Sequence, residues 1–227
     1  MAENLEIFDM RVEPACTHLI VGPSGSGKTV LVANMIRNKD SFIKNGHNIK
    51  NIVFCYSAWQ DLYSEMDKEG LISQWVNAVP NNEQFRELVG GFKDNGGSII
   101  IFDDSMSAIS RDMVEIVTVT SRHLNTSTFI LFQSLFPTNP LAREISLNVK
   151  FMYLFKHPRE KIQVNYIARQ LNPLSYKWIV AAYHEATKKP HGYLMIDLTQ
   201  NTPDRLRIRS SVLPHEFPMV IWNERKQ

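Results

Sequence analysis

The sequence predicts an α/β protein in which a mostly parallel central sheet carries helices on both faces. Two observations lead to it. The stretch Gly22-Pro23-Ser24-Gly25-Ser26-Gly27-Lys28-Thr29 lies between an apolar run, Thr17 to Val21, and a helix-forming run, Val30 to Arg37, so that it reads as strand, glycine-rich loop, helix. Farther on, apolar runs such as Ser98 to Phe102 and Thr128 to Phe132 alternate with helical patterns, and a run that is apolar throughout suits a strand buried on both faces.

The length of 227 residues with 44% hydrophobic content allows one well-filled core, read as an N-terminal extension over residues 1–14 and a single domain over residues 15–227. A net charge of +2 and a pI near 8.5 exclude a nucleic-acid module announced by charge alone, so any DNA contact must come from local patches. Cys16 and Cys55 form no C-x-x-C pair and the histidines show no zinc spacing, which fits a reducing compartment and two small buried residues. Met1 to Pro14 has no apolar signal region and no apolar run reaches membrane-spanning length. A soluble intracellular protein without membrane contact is expected.

In chain order, Asn51 to Tyr56 is β-rich and follows the turn Asn45-Gly46, which predicts a second strand. Tyr56, Trp59 and Tyr63 then fall on one helical face, as a core or subunit contact or as a platform for a base. Glu83 to Leu88 reads as a short amphipathic helix ending at Gly90-Gly91. Ser98 to Phe102 is a strand that ends in Asp103-Asp104, and Ser105 to Val119 is predicted to be helical. Thr128 to Phe132 delivers Gln133 and Ser134 to its carboxyl end, where Pro137 and Pro140 break the chain into a loop. Lys150 to Phe155 gives a strand, Arg159 to Gln170 and Ser175 to Thr187 helices, and Tyr193 to Leu198 another strand. Arg205 to Ser210 alternates Leu and Ile with Arg, as an edge strand would.

The loop Gly22 to Thr29 fits G-x-x-x-x-G-K-[ST], whose backbone N–H groups and following helix N-terminus wrap phosphates. Gly25 and Gly27 let the chain turn inward, Lys28 reaches the β- and γ-phosphates, and Thr29 is placed to ligate magnesium. An apolar strand ending in two acids downstream of such a loop assigns Asp103 to magnesium and Asp104 to general base. Gln133, at the same carboxyl edge, can bond a γ-phosphate or orient water without adding repulsive charge. A cation inserted by a neighbouring subunit would complete the site, with Arg122 the first candidate and Arg159 the second. Asn38-Lys39-Asp40 lacks the spacing of the guanine-reading N-K-x-D element, which disfavours a GTPase.

GPSGSGKT, IIIFDD and the glutamine ending FILFQ, in this order, resemble the FtsK/HerA superfamily of DNA-pumping ATPases. FCYSAWQDLYSEM, TSRHLNTSTFILFQSLFP, ISLNVKFMYLFKHPREK and GYLMIDL are more narrowly similar to the genome-packaging ATPases of Polinton (Maverick) elements and adintoviruses, over about Thr17 to Pro214. The resemblance implies a RecA-like P-loop NTPase core of the ASCE type, with the Gln133 strand between the phosphate-loop strand and the Asp103 strand. It implies ATP and Mg2+ as cofactors and a homo-oligomeric ring that threads double-stranded DNA into a capsid at a portal or vertex, with an arginine finger in trans that Arg122 fits by position. It also implies work inside the host cell, in nucleus or cytoplasm, with possible carriage in the virion. The superfamily's usual second acid is glutamate; here it is Asp104, and the shorter side chain leaves open direct action or action through a repositioned water. DNA contacts would come from core loops such as Ser134 to Arg143. Two rivals remain: a cellular or plasmid DNA pump, which predicts an added DNA-binding or membrane-anchoring segment, and an ATP-binding assembly switch that recruits capsid components without steady turnover.

Overall fold

A computed structural model describes residues 8–105, 108–135, 139–159, 161–214, 216 and 219–221. Residues 1–7 of the extension, residues 136–138 of the loop assigned to DNA contact, and Glu160 of the predicted helix lie outside the described residues.

Nine strands form one sheet: β1 Thr17–Val21, β2 Asn51–Cys55, β3 Gln74–Val76, β4 Ser98–Phe102, β5 Thr126–Phe132, β6 Phe151–Phe155, β7 Tyr193–Asp197, β8 Ile208–Ser210 and β9 Met219–Val220. Their order is β3-β2-β4-β5-β1-β6-β7-β8-β9. The first six neighbours in that order run parallel, and β7, β8 and β9 are added antiparallel. β5 thus lies between the glycine-loop strand and the Asp103 strand, in the order that the resemblance implies.

Helices α1 Lys28–Arg37, α2 Lys39–Phe42 and α3 Asp61–Lys68 cover one face. The other face is covered by α4 Asn82–Val89, α5 Arg111–Glu115, α6 Ser121–His123, α7 Pro140–Leu147, α8 Lys161–Leu171 and α9 Lys177–Ala186. Two covered faces explain the uninterrupted apolar runs. In β4, Ile100 and Phe102 enter one core cluster while Ile99 and Ile101 enter the other; β5 divides Ile130 and Phe132 from Phe129 and Leu131 in the same way. Each such side chain contributes roughly 1.5–3 kcal/mol on burial, and a one-residue slip in these strands would move every one of them into the opposite, differently packed cluster. No helix among the described residues is long and apolar enough to cross a membrane.

Several elements differ from the sequence reading. The helix expected from Ser105 starts only at Arg111, because the Ser110 hydroxyl accepts from the Met113 N–H at 3.2 Å and caps it there; Met106 and Ser107 lie outside the described residues. It then passes through a π-helical segment, Ile116–Thr120, before α6. Tyr56, Trp59 and Tyr63 do cluster, with centroids 5.2–5.9 Å apart, but not on one helical face, since α3 begins at Asp61. Trp75 of β3, a short half-buried strand absent from the reading, completes the cluster. The segment predicted as an edge strand is interior: β9 pairs outside β8, and Arg209 is buried on Asp197 instead of facing water. The described part of the N-terminal extension is tied down, with Val12 exchanging backbone bonds of 2.9 Å with Phe42 and Lys44.

One buried base makes this core sensitive to acid. His18 of β1 is stacked between Phe129 and Phe151 at 4.2 and 4.9 Å, and its Nδ1 lies 3.2 Å from the Tyr153 hydroxyl. Burial pushes its pKa down from 6.5 to about 3. The unfolded chain therefore binds the extra proton first as pH falls below 6.5, and folding stability is lost by about 1.4 kcal/mol per pH unit from this group. In urea unfolding between pH 6 and 4, the advantage of wild type over His18→Gln should shrink by that slope; parallel pH profiles would contradict it.

Candidate nucleotide and magnesium site

β1 lies between β5 and β6, and the chain leaves it at Gly22, whose N–H still bonds the Phe132 carbonyl of β5 at 3.1 Å. A Cβ on Gly22 would sit 2.6 Å from Ser26 Oγ and 2.7 Å from Phe155 Cβ, so the loop can pass there only as glycine. Gly25 and Gly27 take φ values of 74° and 103°, which turn the loop back into α1. Lys28 is held at the start of that helix, its Nζ donating to the carbonyls of Gly22 at 2.7 Å and Pro23 at 3.1 Å. Burial pushes the ammonium pKa down, and the charges of Asp103 and Asp104 push it back up.

Across β5, the end of β4 presents both acids. Asp103 is buried, and its Oδ2 accepts from the Thr29 hydroxyl at 2.8 Å and the Tyr63 hydroxyl at 2.9 Å. Burial pushes this carboxyl pKa up, and the two donors together with the Lys28 charge oppose that shift. Asp104 has a left-handed φ of 51°, a conformation that costs a non-glycine residue about 1 to 3 kcal/mol. That turn brings its Oδ1 to the Gln133 amide, which donates at 3.0 Å from the end of β5.

Loop, acids and glutamine line one cavity of about 510 Å³. The residues present fit a phosphate chain with magnesium: Gly25, Gly27 and the Lys28 ammonium of the loop line the cavity, and Thr29 and Asp103 form a pair of hard oxygen donors beside them. Thr29 and Asp103 would hold the ion, which when bound neutralises charge on phosphate oxygens.

The two arginines are not in this cavity's lining. Arg122 precedes β5 at the sheet's opposite edge and its guanidinium donates to the Thr118 carbonyl; Arg159 follows β6 and is exposed. Neither serves the pocket of its own chain as folded here. The aromatic trio does not line the cavity either, so a base platform is not formed by it. The sequence reading placed Tyr63 only in that trio and missed its bond to Asp103. It also missed His191, Tyr193 and Glu216, which line the cavity from the antiparallel side; the turn His191-Gly192 directly before an apolar strand was the available signal.

No protein-family model matches the sequence, and no curated protein matches it significantly. Solved structures do match. The DNA-packaging ATPase B204 of Sulfolobus turreted icosahedral virus aligns with a TM-score of 0.55 and 18% identity, over 87% of this chain and 97% of that one. The genome-packaging NTPase B204 of Sulfolobus turreted icosahedral virus 2, solved with ATP-γS, aligns with a TM-score of 0.55, 16% identity and the same coverage. The fold is that of a P-loop NTPase. At such identity the likeness concerns the arrangement of the core, and the P-loop residues are identified by their own geometry above.

Because Tyr63 acts on Asp103 and not on the phosphates, its hydroxyl has a separable effect. Tyr63→Phe should raise the Mg2+ concentration for half-maximal nucleotide binding about 10-fold, the low end of what loss of such a supporting bond costs. Binding of a fluorescent triphosphate across a Mg2+ titration reads it, and an unchanged midpoint contradicts the role.

Proposed function

We propose that this chain is an ATP-driven double-stranded DNA translocase that packages the genome of a viral or virus-like element. The single observation that carries the hydrolytic part is the meeting of Asp104 and Gln133 at the carboxyl edge that also holds the P-loop. A left-handed backbone that brings a carboxylate to the cavity lined by the glycine-rich loop is retained at a cost, and proton acceptance from an attacking water is a use for it.

In this reading Lys28 and the loop N–H groups bind the phosphates and Thr29 and Asp103 hold Mg2+. Asp104 accepts the water's proton, directly or through a second water, and Gln133 orients the water beside the terminal phosphate. Lys28 must exchange the Gly22 and Pro23 carbonyls for phosphate oxygens, which keeps its charge compensated in both states.

Packaging as the purpose is supported by the likeness to two viral packaging NTPases and by the resemblance to the Polinton and adintovirus type. A homo-oligomeric ring belongs to the same reading: Arg122 lies outside the pocket of its own chain, and a neighbouring subunit's site is the proposed place for its charge. Arg159 is the second candidate, DNA contacts fall to the loop from Ser134 to Arg143, and a capsid portal or vertex is the docking partner. The work takes place inside the host cell.

The test is ATP turnover with and without duplex DNA, with the assembly's mass measured alongside. Wild type should be stimulated by DNA, Asp104→Asn should lose at least about 100-fold in rate while still binding nucleotide, and mixing Arg122→Ala with Lys28→Ala subunits should restore part of the activity. Turnover by Asp104→Asn at the wild-type rate removes the assigned base. A confirmed ring whose turnover ignores DNA favours the nucleotide-dependent assembly switch instead.

A further inference from the structure

The cavity extends beyond the phosphate loop on the flank of β1 opposite the acids. There Phe155, His191, Tyr193, Leu213 and Glu216 wall it. His191 is pressed onto the loop, its Nδ1 3.0 Å from the Ser26 carbonyl oxygen. A triphosphate whose last phosphate meets Asp103, Asp104 and Gln133 on the β4 and β5 flank must carry its nucleoside toward the β6 and β7 flank, because the loop lies between them.

One carboxylate on that flank is held in a fixed orientation. Glu216 Oε2 accepts from the buried Tyr193 hydroxyl at 2.8 Å and from the Leu213 N–H at 3.0 Å. Tyr193 is itself anchored, its oxygen accepting from the Val212 N–H at 3.1 Å. Glu216 Oε1 takes no hydrogen bond from the described residues, so the carboxylate offers the cavity one acceptor. A guanine edge presents adjacent N1–H and N2–H donors that pair with two carboxylate oxygens at once, and here one oxygen is already saturated. The remaining oxygen can accept from the 6-amino group of adenine, whereas a 6-oxo group in the same place would set one acceptor against another.

On the reading that the P-loop binds a nucleoside triphosphate, we propose that Glu216, oriented by Tyr193, reads the exocyclic amine of the base and selects 6-aminopurine over 6-oxopurine nucleotides. Leu213 and Phe155 supply apolar walls and His191 a flat ring on the same flank.

The side chain's own chemistry provides the test. In Glu216→Gln the amide oxygen is the group able to accept from Tyr193 and Leu213, which leaves the NH2 group, a donor, facing the base. Competition of ATP, ITP, GTP and inorganic tripolyphosphate against a fluorescent ATP analogue, with Mg2+ present, reads the outcome. Wild type should prefer ATP to ITP by about 10-fold, a single buried hydrogen bond's worth, and Glu216→Gln should cancel or reverse that preference while tripolyphosphate competes equally in both proteins. An ATP-to-ITP ratio that is the same in both proteins, or a wild type that prefers GTP, overturns the assignment of Glu216 and leaves the phosphate site intact. If neither triphosphates nor tripolyphosphate bind, the P-loop reading itself fails and this inference with it.

Discussion

One carboxylate oxygen, Oδ2 of Asp103, accepts from Thr29 at 2.8 Å and from Tyr63 at 2.9 Å, and much of the site's geometry follows from keeping that atom satisfied inside the protein. A buried carboxylate without partners is costly, and burial already pushes this one toward its protonated form. The two donors come from α1 and α3, which lie on the same face of the sheet, and the compensating charge comes from Lys28 one residue before Thr29. The bond thus ties the start of α1 to the end of β4 across the intervening β5. A shift of β4 by one residue would remove the acceptor from both donors and exchange its isoleucines between the two cores.

In the parallel part of the sheet the same arrangement gathers the charged groups at one edge. The strands β1, β2, β4, β5 and β6 are buried throughout and offer no place for water or charge along their length. Where parallel strands end together, loop backbone donors, two acids and a neutral amide converge. The rest of the cavity wall comes from the antiparallel extension, so β7 and the segment after β8 add to the core's phosphate-holding edge a second wall of different chemistry, rings and one oriented carboxylate.

Much of this was legible in the sequence because its signals are local. β1 and β4 have the boundaries read from their apolar runs, and the P-loop, Asp103, Asp104 and Gln133 share one cavity as their positions at strand ends required. What escaped reading depended on distant partners. β3 is three half-buried residues that become a strand only by pairing with β2. Arg209 reads as a solvated residue of an alternating strand, yet Asp197 and a further strand beyond it bury it. Tyr63 belongs to an aromatic cluster and to the Asp103 bond at once; spacing along the chain reveals the first and not the second. Glu216 gains meaning only through Tyr193, twenty-three residues earlier in the chain.

The central claim, that this edge binds magnesium nucleotide as one unit, is tested most directly by an experimental structure of the chain with Mg2+ and a slowly hydrolysed ATP analogue. The account predicts the phosphates within the loop from Gly22 to Thr29, the Lys28 ammonium moved from the Gly22 and Pro23 carbonyls onto phosphate oxygens, and the metal between Thr29 and Asp103 in place of their direct hydrogen bond. A nucleotide bound elsewhere, or one seated in the loop with the Thr29 to Asp103 bond and the Lys28 contacts unchanged, would contradict it.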